Sequence, residues 1–196
     1  MSGTTPRPSS PGRTRVFLTG GDPAGIGPEV LLAAWRHSGA HAGASLRACI
    51  APAHLRRLLD APAIGRSPVI ETVTADDPRP SSPDTMLVID PGGVGETVAP
   101  ARESAAGGRA AVAALSTALD AARAAEQSGF RAAIVTGPLH KGALHAAGHD
   151  VPGHTEWLAR ACGRTDADAS MMLWLPPDPA ARRGGLGVVH VTLHEG

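Results

Sequence analysis

The chain has 196 residues, room for one large domain or two small ones, and its 42% apolar content supports a buried core. Eighteen Lys and Arg balance eighteen Asp and Glu, so no net field draws the chain to nucleic acid or to an anionic membrane. Tyr is absent and aromatics make up 3%, which excludes the basic–aromatic interleaving that stacks on bases and leaves the core to Ala, Val and Leu.

Residues 1–15 are rich in Pro, Ser, Gly, Thr and Arg and predict a disordered tail. The short Val16-Phe17-Leu18 run after it is no signal-peptide core, and nothing in the sequence is long and apolar enough for a membrane span, so a cytoplasmic protein is expected. Cys49 and Cys162 stand far apart in no CxxC pattern, and both are expected to be buried free thiols. Val16–Thr19 reads as a strand, Gly20–Pro28 as a turn, and Glu29–His37 as a helix with Pro28 at its start. Residues 46–51 read as a strand, His54–Leu59 as a helix, Pro78–Thr85 as a loop, and Met86–Ile89 as a strand. The longest helical pattern runs from Gly108 to Gln127, with Val112, Leu115, Leu119 and Ala122 at three- and four-residue spacing. Ala132–Val135 follows as a buried strand, a helix opens at His154 or Thr155 and runs to Cys162, and Met171–Leu175 and Gly187–Leu193 are strands flanking a Pro- and Arg-rich loop. This alternation predicts an α/β fold with a largely parallel sheet.

Four motifs carry candidate chemistry. Gly20–Glu29 lies at a strand-to-helix junction, where open α/β sheets bind ligands and helix N-termini favour anions. Its spacing is neither GxGxxG nor GxxxxGK[ST], so a Rossmann or P-loop mode is excluded, and a purely structural glycine turn is the bland alternative. Thr136–Gly142 follows a strand and offers His140 and Lys141. Lys141 there can hold phosphate or carboxylate as a point charge and is the candidate for proton transfer, against the alternative of a solvated loop lysine. Gly153-His154-Thr155-Glu156 opens a helix, where His154 and Thr155 can meet a phosphate or hydroxyl, or Thr155 can simply be the N-cap with Glu156 favouring the dipole. On a strand, His190 and His194 share a face, and His194 sits nearer the carboxyl end, but two histidines fall short of the three or four ligands a metal takes. His145 and His149 read as solvated.

The order of these blocks resembles the 4-hydroxythreonine-4-phosphate dehydrogenase (PdxA) family. The resemblance rests on Val16–Glu29, on Ser104–Ala110 with its following helix, on Ala133–Gly142, on Gly153-His154-Thr155-Glu156, and on Met171–Leu173 with Val188–His194. It implies a three-layer α/β/α fold of the isocitrate/isopropylmalate dehydrogenase type, with a first domain over about 16–130 and the start of a second over about 131–196. It implies NAD- or NADP-dependent oxidation of a phosphorylated hydroxy-amino acid, 4-phosphohydroxy-L-threonine, then decarboxylation, in vitamin B6 biosynthesis. It implies a divalent metal (zinc, magnesium or cobalt) held by three histidines in a homodimer. By position, His154 and Thr155 fall on the substrate contacts and His194 on the first metal histidine. The family continues well beyond Glu195-Gly196, and its other ligands lie there, so a truncated member, inactive alone, is expected. A sibling dehydrogenase of phospho-threonate or phospho-erythronate shares these motifs, and a non-catalytic phosphate- or partner-binding remnant is the reading from another class.

Overall fold

The computed structural model describes residues 14–59, 67–92, 98–178, 180 and 183–190. Five strands form one parallel sheet: β1 (Thr14–Thr19), β2 (Ser45–Cys49), β3 (Val69–Thr72), β4 (Thr85–Ile89) and β5 (Arg131–Val135), in the order β3-β4-β2-β1-β5. Strand order reverses at β1, which pairs with β2 on one side and β5 on the other. Helices α1 (Gly27–His37) and α2 (Pro52–Leu59) cover one face, burying Leu31, Leu32, Trp35 and Leu55 against Leu46, Ala48, Met86 and Val88. Helix α3 (Ala105–Gln127) covers the other, burying Ala118, Ala121, Ala122 and Ala125 against Phe17, Cys49 and Ile89. The three-layer α/β/α architecture thus follows from parallel strands that are apolar on both faces.

Alanine dominates the inward stripe of α3 because the helix lies close to the sheet, and Leu115 and Leu119 fill the wider gaps, while Val112 is only half-buried. Two arginines are buried near the amino ends of the strands. Arg47 is fully enclosed and donates to the carbonyls of Leu46, Asp77 and Arg79, and Arg15 donates to those of Asp76 and Asp77 and lies over the Phe130 ring. Burial and then the neighbouring Arg15 lower the Arg47 guanidinium below its ordinary value, against the pull of Asp77. These donors hold the 75–79 loop that leads to β4, so each charge is matched by carbonyl dipoles.

The chain divides into two compact units, Met1–Asp150 and Val151–Gly196. The first unit runs through Asp150, since β5 pairs with β1 and the short helix α4 (Lys141–Ala146) packs on α3. The second unit contains α5 (His154–Ala161), a 3-10 turn over Asp166–Asp168, and strands β6 (Met172–Leu175) and β7 (Leu186–Val189). β6 and β7 pair antiparallel in a two-stranded sheet of their own. The expected strand over 187–193 ends at Val189, with His190 outside it and 191–193 outside the described residues. Cys49 is buried, which pushes its thiol up to about 12, whereas Cys162 is exposed, correcting the expectation that both are buried. Cys162 follows the last turn of α5, and no residue of that helix is fully buried.

Candidate functional site

In the first unit, three turns meet at the carboxyl ends of β1 and β5. The Gly20–Gly27 turn leaves β1, the Thr136–His140 turn leaves β5, and the 98–104 segment leads into α3. They enclose a cavity of about 470 Å³ lined by Asp22, Ala24, Gly25, Ile26, Ala101, Arg102, Glu103, Pro138, Leu139 and His140. Its position at the point of strand reversal is where open α/β sheets take ligands.

Backbone contacts fix the turns. Asp22 N–H donates to the Pro138 carbonyl (2.9 Å), and Gly137 N–H donates to the Thr19 carbonyl (3.0 Å) and hydroxyl (3.1 Å). Gly21 has φ +66°, and a Cβ there would strike the Pro138 carbonyl, so the turn requires glycine. The Asp22 carboxylate is 4% exposed; it accepts from Ala24 N–H (2.8 Å) and lies against the first turn of α3, where a Cβ on Gly107 would come within 2.5 Å of Oδ1. The N-terminus of α3 favours that negative charge, and Ser104 Oγ caps it by accepting from Gly107 N–H (3.1 Å). By contrast, α1 opens at Ile26 with no side-chain cap, and Pro28 in its first turn carries no N–H.

His140 caps α4, its Nδ1 accepting from Ala143 N–H at 3.3 Å, and the same nitrogen lies 3.4 Å from Glu103 Oε2. One nitrogen cannot serve both at once. With a bare Nδ1, His140 caps the helix; with the ring hydrogen on that nitrogen, it donates to Glu103. Behind the Gly20–Gly27 turn lies His54, 7% exposed on α2. Burial first, then Arg57, lowers its pKa below the ordinary 6.5, while Asp90 and Asp22 pull upward.

The predicted site residues fall as follows. Lys141 begins α4, exposed, next to the cavity residue His140. His154 and Thr155 share the first turn of α5 in the second unit. Gly153 occupies the N-cap position, so Thr155 is not the cap, correcting that alternative. His190 is half-buried, and its N–H donates to the Met171 carbonyl (2.9 Å). His194 lies outside the described residues. Among the described residues no three His, Cys, Asp or Glu gather as a metal-ligand set, so they form no complete divalent-metal site. Sequence reasoning missed Ala101, Arg102 and Glu103, because nothing in the sequence at Ala101 announces its φ of +55°.

Fold and cavity define an α/β protein of the doubly covered parallel-sheet class with a cavity at its topological switch point. The model of the pyridoxal phosphate biosynthetic protein PdxA family matches residues 47–196. The chain is 36% identical over 185 residues to D-threonate 4-phosphate dehydrogenase of Cupriavidus necator, covering 92% of this chain and 50% of that one. It is 33% identical over 181 residues to 4-hydroxythreonine-4-phosphate dehydrogenase of Methylorubrum extorquens, covering 90% and 48%. The crystal structure of a 4-hydroxythreonine-4-phosphate dehydrogenase from Burkholderia phymatum superposes with a TM-score of 0.74 at 33% identity, over 93% of this chain and 50% of that one. The chain belongs to the PdxA family. It spans about half the length of these relatives.

Proposed function

We propose that this chain supplies the first half of an NAD- or NADP-dependent dehydrogenase of a 4-phosphorylated four-carbon β-hydroxy acid. The observation that carries the reading is the cavity at the switch point, lined from the family-like Val16–Glu29 and Ala133–Gly142 blocks together with Ala101, Arg102 and Glu103. A bound nicotinamide supplies the acceptor for the hydride that leaves the carbinol carbon. The cavity's cationic Arg102 suits a phosphate-bearing group, and the buried Asp22 holds the turn that shapes that corner. Lys141 offers a point charge to phosphate or carboxylate beside the same wall, and by the family resemblance His154 and Thr155 of the second unit are substrate contacts. Oxidation leaves a β-keto acid, whose carboxylate departs as carbon dioxide.

Relatives bearing both names, D-threonate 4-phosphate and 4-hydroxythreonine-4-phosphate dehydrogenase, match comparably. The two substrates differ at the second carbon, hydroxyl in one and amine in the other, so the discriminating contact is made there. The test joins residues 1–196 to the second half of the Cupriavidus necator enzyme and follows NADH formation with each substrate. Turnover of at least one is expected from the joined protein and none from the 196-residue chain alone. His154→Ala in the joined protein should cost roughly tenfold to a hundredfold in kcat/KM, as loss of a hydrogen bond to a charged group does. Lys141→Ala should chiefly raise KM. A folded joined protein that reduces NAD and NADP with neither substrate would sink the reading. Sedimentation of the same protein checks the homodimer that the family resemblance implies.

A further inference from the structure

Behind the cavity wall lies a contact that no catalytic reading uses. Arg57, half-buried on α2, donates from Nη2 to the carbonyl of fully buried Pro23 and from Nη1 to the Val98 carbonyl (3.4 Å). Those carbonyls belong to two different cavity walls, the Gly20–Gly27 turn and the 98–104 segment. The same two segments touch once more, where Ala101 N–H donates to the Ala24 carbonyl (2.7 Å). Ala101 has φ +55°, the one non-glycine in the left-handed region among the described residues. An alanine there stores about 1 kcal/mol or more of strain and persists only where its surroundings over-determine it. Its turn aims the following Arg102 and Glu103 along the cavity lining.

We propose that Arg57 is the positioning residue of this cavity, a guanidinium that ties both wall segments together and holds Ala101 in its strained conformation. The planar fork is suited to the task because it donates to two carbonyls from one rigid group. Among the described residues no carboxylate pairs with it, and its buried Nε donates to none of them, so the cation is committed to these carbonyls. Without it, the strain at Ala101 is opposed only by the single Ala24 contact, and the 98–104 wall releases.

The inference concerns the cavity on which the functional reading rests, and hydrogen exchange tests it without needing a ligand. Wild type, Arg57→Lys, Arg57→Ala and Arg57→Ala with Ala101→Gly are compared by mass spectrometry over peptides spanning 98–106 and over β1 and β2. Arg57→Ala should speed exchange in 98–106 roughly tenfold or more, the factor carried by one hydrogen bond from a charged group. The strands should be unaffected, and millimolar guanidinium ion should restore protection. Arg57→Lys, a single point donor, should give an intermediate rate, and Ala101→Gly should recover part of the loss by removing the strain. Unchanged exchange in 98–106, or an equal rise across β1 and β2 that guanidinium does not reverse, would overturn the proposal. If Arg57→Ala does not fold, Arg57→Lys decides: a wild-type rate in 98–106 counts against it. Fluorescence titration with NADH separates the two claims. Failure of the protein joined to the Cupriavidus necator second half to bind removes the cofactor reading, while the exchange result still decides the role of Arg57.

Discussion

Alanine at position 21 would have to take φ near +66° and press its Cβ onto the Pro138 carbonyl, the acceptor for Asp22 N–H. Gly21→Ala should therefore cost about 2–4 kcal/mol in urea unfolding. Gly43→Ala, with open space around the added methyl, should stay within about 0.5 kcal/mol and serves as the control. Both were legible as glycines in the sequence, but only the approach of the Pro138 carbonyl, from a turn far along the chain, tells them apart. His54 gives a second expectation at this scale. Its folded pKa lies below the 6.5 of the unfolded chain, so the unfolded state takes up the proton first. Stability contributed by this group is constant above that value and falls as pH drops through it toward the folded pKa. The urea midpoint should fall more steeply between about pH 7 and pH 5.5 in wild type than in His54→Gln. Parallel slopes would remove the imidazole from the account. His54 was read only as part of a helix, since nothing local to its sequence announces that Asp22 and Asp90 stand near it.

Among the elements, β6 and β7 set a puzzle for stability. Met172, Leu173, Trp174, Leu175, Leu186, Val188 and Val189 are all exposed, on both faces of a two-stranded ladder. Such a pair is marginal in water without a covering layer. Amides of 172–175 and 186–189 should therefore exchange far faster than those of β1, β2 and β4; equal protection would mean that the hairpin is covered in solution. The apolar runs of both strands were readable in the sequence, while their antiparallel pairing outside the parallel sheet was not, because pairing direction depends on the connection and not on residue type. β3 escaped the reading because Val69-Ile70-Glu71-Thr72 is an edge strand with only part of an apolar pattern, its Glu71 held by Arg79 (2.6 Å). α4 escaped because six residues starting with Lys-Gly carry too little periodicity, and its helix depends on the His140 cap and on packing against α3. The long α3 was legible because its spacing persists over several turns.

For the molecule as a whole, four of the five strands of the parallel sheet followed from strand–turn–helix alternation, and the cavity's glycines from the motifs. The division at Asp150 did not, since α4 attaches to the first unit through packing that sequence spacing leaves unmarked. The pairing of β1 with β5 also has a bearing on synthesis. Thr19 and Gly137, which join at the cavity floor, are 118 positions apart. As the chain emerges from the ribosome, β2 can settle beside β1 and β4 beside β2 while the other edge of β1 stays open, and loop-closure entropy delays the last partner. The cavity therefore cannot exist in any nascent chain shorter than the Thr136–His140 turn. Cavity formation is the closing event in the birth of the first unit, so a translational pause before that turn would hold the growing chain with an unpaired β1 edge, the state most exposed to wrong pairing.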